Sequence, residues 1–299
     1  MCGRRTISHC AKMLLVMFGR EGRRRRLTPR RSSFRTIALL TLIPVFGLLL
    51  MLVWIFIAEN VRLPQSAKKL TKAKAPQVAR RGKIVLILDD VGFEHQPVDA
   101  ATRIDPNINF SVLPNAARAT EVATLLHERG FEVLCHLPME PEHFPQVSPG
   151  SGAVLTTMSD DEIARTTLRN VEAVPYARGV NNHMGSRATA DRRVMENVLA
   201  ALPEDMYFID SRTTSASVAA SVAKELSVRA ASRNVFLDDV PTDAAVRQQL
   251  RSLAREAAHH GIAIGIGHMY PATIRVLTAG VPELRREGFR FIRASQAVR

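Results

Sequence analysis

The chain has 299 residues, 46% of them hydrophobic, enough for one large core or two small ones. The formal net charge of +13 suggests nucleic acid, but it is segregated: eleven Lys/Arg against one acid fall in residues 1–35 and seven against one in residues 59–82, leaving 23 basic against 26 acidic residues elsewhere. A body with no basic excess argues against a nucleic-acid surface. Cys2 and Cys10 in the basic head and a lone Cys135 in the body argue against a disulfide framework.

In chain order, residues 1–36 read as a basic cytoplasmic head. Residues 37–58 carry no charge over 22 positions, and at about 1.5 Å per residue a helix of this length spans a bilayer core. A cleaved signal peptide would have a shorter apolar run and small residues directly after it; Ile57-Ala58-Glu59-Asn60 fits that poorly, so an uncleaved anchor is expected. Eight Lys/Arg in residues 17–36 against five in residues 59–78 favour a cytoplasmic N-terminus. The expected location is the inner membrane, single-pass, with the body periplasmic. Residues 59–82 are rich in Lys, Ala and Gln and read as a solvated tether.

From Lys83 onward short apolar runs alternate with amphipathic stretches. The runs are residues 84–88, 108–113, 131–137, 179–182, 206–209, 228–231, 262–266 and 289–292. The helical stretches are 119–129, 160–171, 192–201, 215–226 and 242–260. Alternating βα units imply parallel strands, in an open sheet or a closed barrel, and residues 83–299 suit one barrel-sized domain.

Polar residues gather where these runs end: Asp89 and Asp90, His136, Asn182 and His183, Asp210, Ser211 and Arg212, Arg233, and His268. In parallel α/β folds the C-terminal strand ends share one face, and sites form there. One histidine or aspartate at a strand end is ordinarily a capping or surface residue; six successive strand ends so equipped form a constellation. Asp90, His136 and His183 supply one oxygen and two nitrogens, a three-ligand set that leaves a position open for water around a divalent metal, zinc above all. The neighbouring Asp89 is then placed as a general base. No Gly-x-Ser-x-Gly elbow or phosphate-cradling glycine loop is present. Cys135 sits in an apolar strand and reads as a buried structural thiol.

With those residues in view, the domain resembles the divergent polysaccharide deacetylase family. The matching segments are 87–92 (Ile-Leu-Asp-Asp-Val-Gly), 110–115 (Phe-Ser-Val-Leu-Pro-Asn), 136–141 (His-Leu-Pro-Met-Glu-Pro), 178–186 (Arg-Gly-Val-Asn-Asn-His-Met-Gly-Ser), 208–214 (Phe-Ile-Asp-Ser-Arg-Thr-Thr), 233–238 (Arg-Asn-Val-Phe-Leu-Asp) and 267–268 (Gly-His). The resemblance implies kinship with NodB-type carbohydrate esterases. Those are distorted (β/α)7 barrels that remove acetyl groups with a divalent metal. It makes Asp89 and Asp90 the base and ligand carboxylates and His183 the first metal histidine. The relatives carry a second histidine four positions later, where Arg187 stands here, and His136 is the substitute. Met269 stands where proline is expected.

The expected function is removal of acetyl groups from an envelope polysaccharide. Asp89 and His268 would be catalytic, Arg233 and Asp210 would orient them, and Asn182, Ser211 and Arg212 would bind substrate. Two rivals remain. One is a non-catalytic barrel that binds a glycan or protein and positions envelope machinery; the other is a metal-dependent phosphoesterase, which would more often hold two metals.

Overall fold

The computed structural model describes residues 35–60 and 81–299, and within the first stretch the side chains of residues 47–59. The expected head, most of the tether, Cys2 and Cys10 lie outside the described residues. The chain divides into two units, Met1–Lys74 and Ala75–Arg299. In the first, α1 (Arg35–Asn60) is one continuous helix of 26 residues. Its described side chains are exposed except for the half-buried Ile55. Among the described residues, no helix is long and apolar enough to cross a membrane.

The second unit is built on parallel strands: β1 (Gly82–Val91), β2 (Asn109–Val112), β3 (Glu132–Met139), β4 (Ala177–Met184), β5 (Phe208–Asp210), β6 (Ala230–Ser232), β7 (Val235–Phe236), β8 (Ile262–His268) and β9 (Phe289–Phe291). Their order is β6-β5-β4-β3-β2-β1-β8-β7, with β9 also pairing β1, and every ladder is parallel. The two edge strands, β6 and β7, are separated by Arg233 and Asn234 alone. Arg233 N–H donates to Asp210 O on the β5 side, whereas Asn234 N–H donates to Ile264 O on the β8 side. One segment thus changes partner in mid-course and joins the edges of a curled sheet. Counting β6 and β7 as one position, seven strands ring the interior.

Outside the sheet lie α2 (Val98–Thr102), α3 (Ala119–Glu128), α4 (Asp160–Glu172), α5 (Arg192–Ala200), α6 (Ala219–Glu225), α7 (Asp243–His260) and α8 (Pro271–Arg286). Local chemistry sets several of their ends. Ser159 and Glu162 form a reciprocal capping box on α4, and the Asp191 and Thr242 side chains cap α5 and α7. Gly261, at φ 81°, ends α7 in the left-handed conformation that glycine adopts without strain. The sequence reading misses α2, α8 and β7. Helix α8 contains Gly280 and Pro282, which weaken a helical pattern in isolation. Burial of Ile274, Val276, Leu277, Val281 and Leu284 overrides that weakness. Gly280 has a packing reason, because a Cβ there would lie 2.5 Å from Leu250 on α7.

Strand periodicity divides the core in two. Outward residues such as Ile84, Leu86, Leu88, Cys135 and Leu137 pack with Leu126, Val198 and Leu253 of the helices. Inward residues Val85, Ile87, Leu134, Tyr207, Ile209, Ile264 and Ile266 fill the ring, closed below by Ile292 and Ala294. Continuing the same alternation to the C-terminal strand ends brings Asp89, Ser111, His136, Asn181, Ser211 and His268 to one layer at the mouth.

Candidate metal centre

Asp89 and Asp90 are adjacent, so an unbroken strand would send them to opposite faces. Asp90 instead has φ 57°, and the β1–β2 register shifts between Leu88 and Val91. That local break turns both carboxylates into the mouth. A non-glycine residue held at positive φ costs about 1 kcal/mol or more.

Asp90 Oδ1 lies 3.0 Å from His183 Nδ1 and 3.3 Å from His136 Nε2. The two ring nitrogens are 3.2 Å apart. Ligand atoms of Asp90, His136 and His183 all fall within 4.8 Å of one another. The contacts to Asp90 Oδ1 have ion-pair distance without hydrogen-bond alignment, which leaves this buried oxygen with no hydrogen-bond partner. A buried acceptor flanked by two imidazole nitrogens is costly empty-handed and suits a small divalent cation. The donor set, one carboxylate oxygen and two imidazole nitrogens, is that of open catalytic zinc sites. The residues therefore fit a metal.

Burial opposes ionisation of Asp90, but attraction to His136 and His183 outweighs it and holds the carboxyl below the usual carboxylate range. Burial likewise disfavours the charged form of His136, yet Asp89 and Asp90 raise its pKa overall. Asp89 is driven the other way. Burial is its largest influence and pushes its pKa up, against the pull of His136, His268 and Asn181. Its Oδ2 lies 3.5 Å from His136 Nε2, beside the ligand cluster.

His268 reaches the cluster from β8, its Nε2 3.6 Å from Asp90 Oδ2. Its Nδ1 is 2.9 Å from Asp238 Oδ1, while Asp238 Oδ2 accepts from the His268 backbone N–H and from Thr273 Oγ1. Burial lowers the His268 pKa, but the Asp238 hydrogen bond and charge dominate and lift it to about 9. Beside these groups opens a cleft of about 320 Å³, lined in part by Asp90, His183, Phe93, Leu113 and Ser151.

Other expected site residues fall elsewhere. Asn182 is buried and has the opposite strand parity: its Oδ1 accepts from Ser211 N–H and its Nδ2 donates to Met184 O. It ties β4 to the turn after β5 and has no free edge for substrate, which corrects the expected substrate-binding role. Asp210 is corrected likewise, since its carboxylate accepts from Arg212 N–H and Ser217 Oγ and orients no member of the cluster. Arg233 donates to the carbonyls of Ser211 and Arg212 and lies over the Phe236 ring at 4.7 Å. It braces the turn rather than touching Asp89. Ser211 is buried in the mouth layer, and Arg212 is exposed at the rim with φ 48°.

Sequence reasoning places Asn181 and Asp238 at strand ends but assigns no role to them or to Ser111; Asn181 Nδ2 lies 2.9 and 3.2 Å from the Asp89 oxygens. Strand parity was the available signal, because Asn181 is two residues before His183 and shares its face. Arg187, at the position where the resemblance implied a second histidine, donates to Glu140 Oε1 at 2.8 Å and to Glu142 O. It fastens the rim loop.

The profile of the family described as divergent polysaccharide deacetylase matches residues 86–298. The chain belongs to this family. Among proteins similar to this deacetylase-family chain is an uncharacterized protein, YibQ, of Escherichia coli (strain K12). It is 38% identical over 197 residues, covering 66% of this chain and 61% of that protein. The chain thus spans about three fifths of that relative's length. An uncharacterized protein of Haemophilus influenzae is 37% identical over 206 residues, covering 68% and 72%. The crystal structure of uncharacterized protein ATU2773 from Agrobacterium tumefaciens C58 shares the family chain's fold, with a TM-score of 0.69 at 21% identity. That match covers 74% of this chain and 90% of the other.

Proposed function

We propose that the protein is a metal-dependent hydrolase that removes acetyl groups from an envelope polysaccharide. The observation that carries this reading is the convergence of Asp90, His136 and His183 on a buried, unpartnered carboxylate oxygen, with Asp89 and His268 at its edge. The three ligands would hold a divalent ion, zinc by donor set, which when bound supplies Lewis-acid polarisation of the acetyl carbonyl and acidifies water. Asp89 takes the proton of the attacking water, and its burial-raised pKa makes it a better base than an exposed carboxylate. Asn181 holds that carboxylate in place through its NH2 group. His268, kept protonated at neutral pH by Asp238, delivers a proton to the departing amine or alkoxide. The cleft beside Asp90 and His183 gives the sugar chain room, and Arg212 offers a cation at the rim. Separately, and on the sequence alone, we propose that the uncharged run of residues 37–58 and the charge bias around it would hold the chain at the inner membrane with residues 83–299 periplasmic.

A second reading, a glycan- or protein-binding barrel without catalysis, is favoured by one observation: Arg187 occupies the second-histidine position and is paired with Glu140. Elemental analysis after zinc, cobalt and nickel loading, alongside acetate release from acetylated glycans, separates the two. His183→Ala should lose the metal with the fold retained; Asp89→Asn should keep the metal and lose acetate release. A wild-type chain that stays metal-free refutes the catalytic reading, and metal without acetate release supports the binding barrel. For the anchor, a periplasm-active reporter fused after Arg299 should be active, and activity of a cytoplasm-active reporter alone refutes the orientation.

A further inference from the structure

Asn181 stands at the centre of the mouth layer, and both ends of its amide are committed. Nδ2 lies 2.9 and 3.2 Å from the Asp89 oxygens and 3.2 Å from Ser211 Oγ. An ionised carboxylate offers only acceptors, so this end is the NH2 group. The other end, Oδ1, then faces Ser111 Oγ and, at 2.9 Å, His136 Nδ1. An amide oxygen cannot donate, so the imidazole carries a proton on Nδ1. The ring nitrogen left to offer a lone pair is Nε2, the one 3.3 Å from Asp90 Oδ1 and 3.2 Å from His183 Nδ1. Asp89, Ser111, His136, Asn181 and Ser211 are all buried, so water does not compete for these contacts.

We infer that Asn181 is a positioning residue: it fixes the Nδ1–H tautomer of His136 and so presents Nε2 as the third metal ligand. Strand register is what makes this possible. His136 and Asn181 are direct Cα partners on β3 and β4, and both point into the ring. The residue beside His136 in register thus provides the hydrogen-bond partner that a ligating histidine requires. The link from tautomer to metal affinity rests on the metal-centre reading; the tautomer itself does not.

The first test therefore needs no metal. In the full-length, metal-free chain with ¹⁵N-labelled histidine, at alkaline pH where the ring is neutral, long-range ¹H–¹⁵N correlation should place the His136 proton on Nδ1. The signal is assigned by its loss in His136→Gln. A proton on Nε2, or an even mixture of tautomers, overturns the inference. The second test is zinc affinity by competition with a chromophoric chelator. Asn181→Leu removes the acceptor and should weaken zinc binding by about 10–100-fold. Asn181→Asp keeps an oxygen towards Nδ1; its other oxygen, facing Asp89, stays protonated because two carboxylates about 3 Å apart do not both ionise, so affinity should be retained, a rescue that a merely space-filling role would not show. Wild-type affinity in Asn181→Leu, or equal loss in both variants, overturns it. If the wild-type chain binds no zinc, the metal-centre reading fails, and the tautomer measurement still decides the role of Asn181.

Discussion

Replacing Asp238 with Asn should strip His268 of its acidity control. Asp238 Oδ1 is 2.9 Å from His268 Nδ1, and Oδ2 already accepts from two donors, the His268 N–H at 2.6 Å and Thr273 Oγ1 at 2.7 Å. The substitution removes the charge and one acceptor. The His268 pKa should fall from about 9 to the usual 6.5 or below, since burial then acts with less opposition. That change corresponds to about 3 kcal/mol. The sign follows from linkage. A histidine whose folded pKa is raised contributes stability that is fully present below the unfolded value near 6.5 and is lost as pH rises through about 9. Wild type should therefore lose up to that amount between these limits, and Asp238→Asn should show little change across the same window. The assay is an NMR titration of the His268 ring in metal-free protein, with urea unfolding at matched pH. A wild-type midpoint near 6.5, or an unchanged midpoint in Asp238→Asn, would refute the reasoning.

At Gly179 a Cβ would lie 2.5–2.7 Å from the Tyr207 ring, and that ring is fixed by its hydroxyl donating to Glu132 at 2.7 Å. Gly179→Ala should cost about 1–3 kcal/mol in urea unfolding, and a change under about 0.5 kcal/mol would count against the packing described. The buried Glu140 carboxylate accepts from Thr156 N–H, Thr156 Oγ1 and Arg187, so Glu140→Gln should cost about 1–3 kcal/mol. Burial works against ionisation of Glu140, but those partners depress its pKa below 4.5. Its contribution is therefore present above about pH 4.5 and lost as pH falls through the lower folded value; an acid-unfolding curve identical in wild type and variant would contradict this. Because Asp89 and Asp90 raise the His136 pKa, zinc must displace a proton there. Affinity should rise with pH through and above 6.5, with proton release in calorimetry, and a pH-independent affinity would exclude His136 as a ligand.

Much of this architecture is legible in a single chain of letters. Short apolar runs separated by amphipathic stretches report parallel strands and covering helices, because each pattern follows from local backbone geometry. The clustering of Asp89, Asp90, His136, His183 and His268 at run ends is legible for the same reason: strand direction alone brings those ends to one face. Strand parity was also available, and it separates Asn181 and Ser211, which point into the ring, from Asn182 and Asp210, which do not. What parity cannot supply is the left-handed turn at Asp90, which brings two adjacent carboxylates into one mouth, or the partner switch at Arg233 and Asn234, which joins the sheet edges. Helix α8 escaped because the burial that stabilises it comes from residues distant in sequence, against its own glycine and proline. The pairing of Arg187 with Glu140, the Asp238–His268 hydrogen bond and the contact between Asn181 and His136 link residues 30 to 47 positions apart. Such contacts exist only once register and curl are set, so sequence determined which groups reach the mouth, and tertiary structure decided which of them face one another.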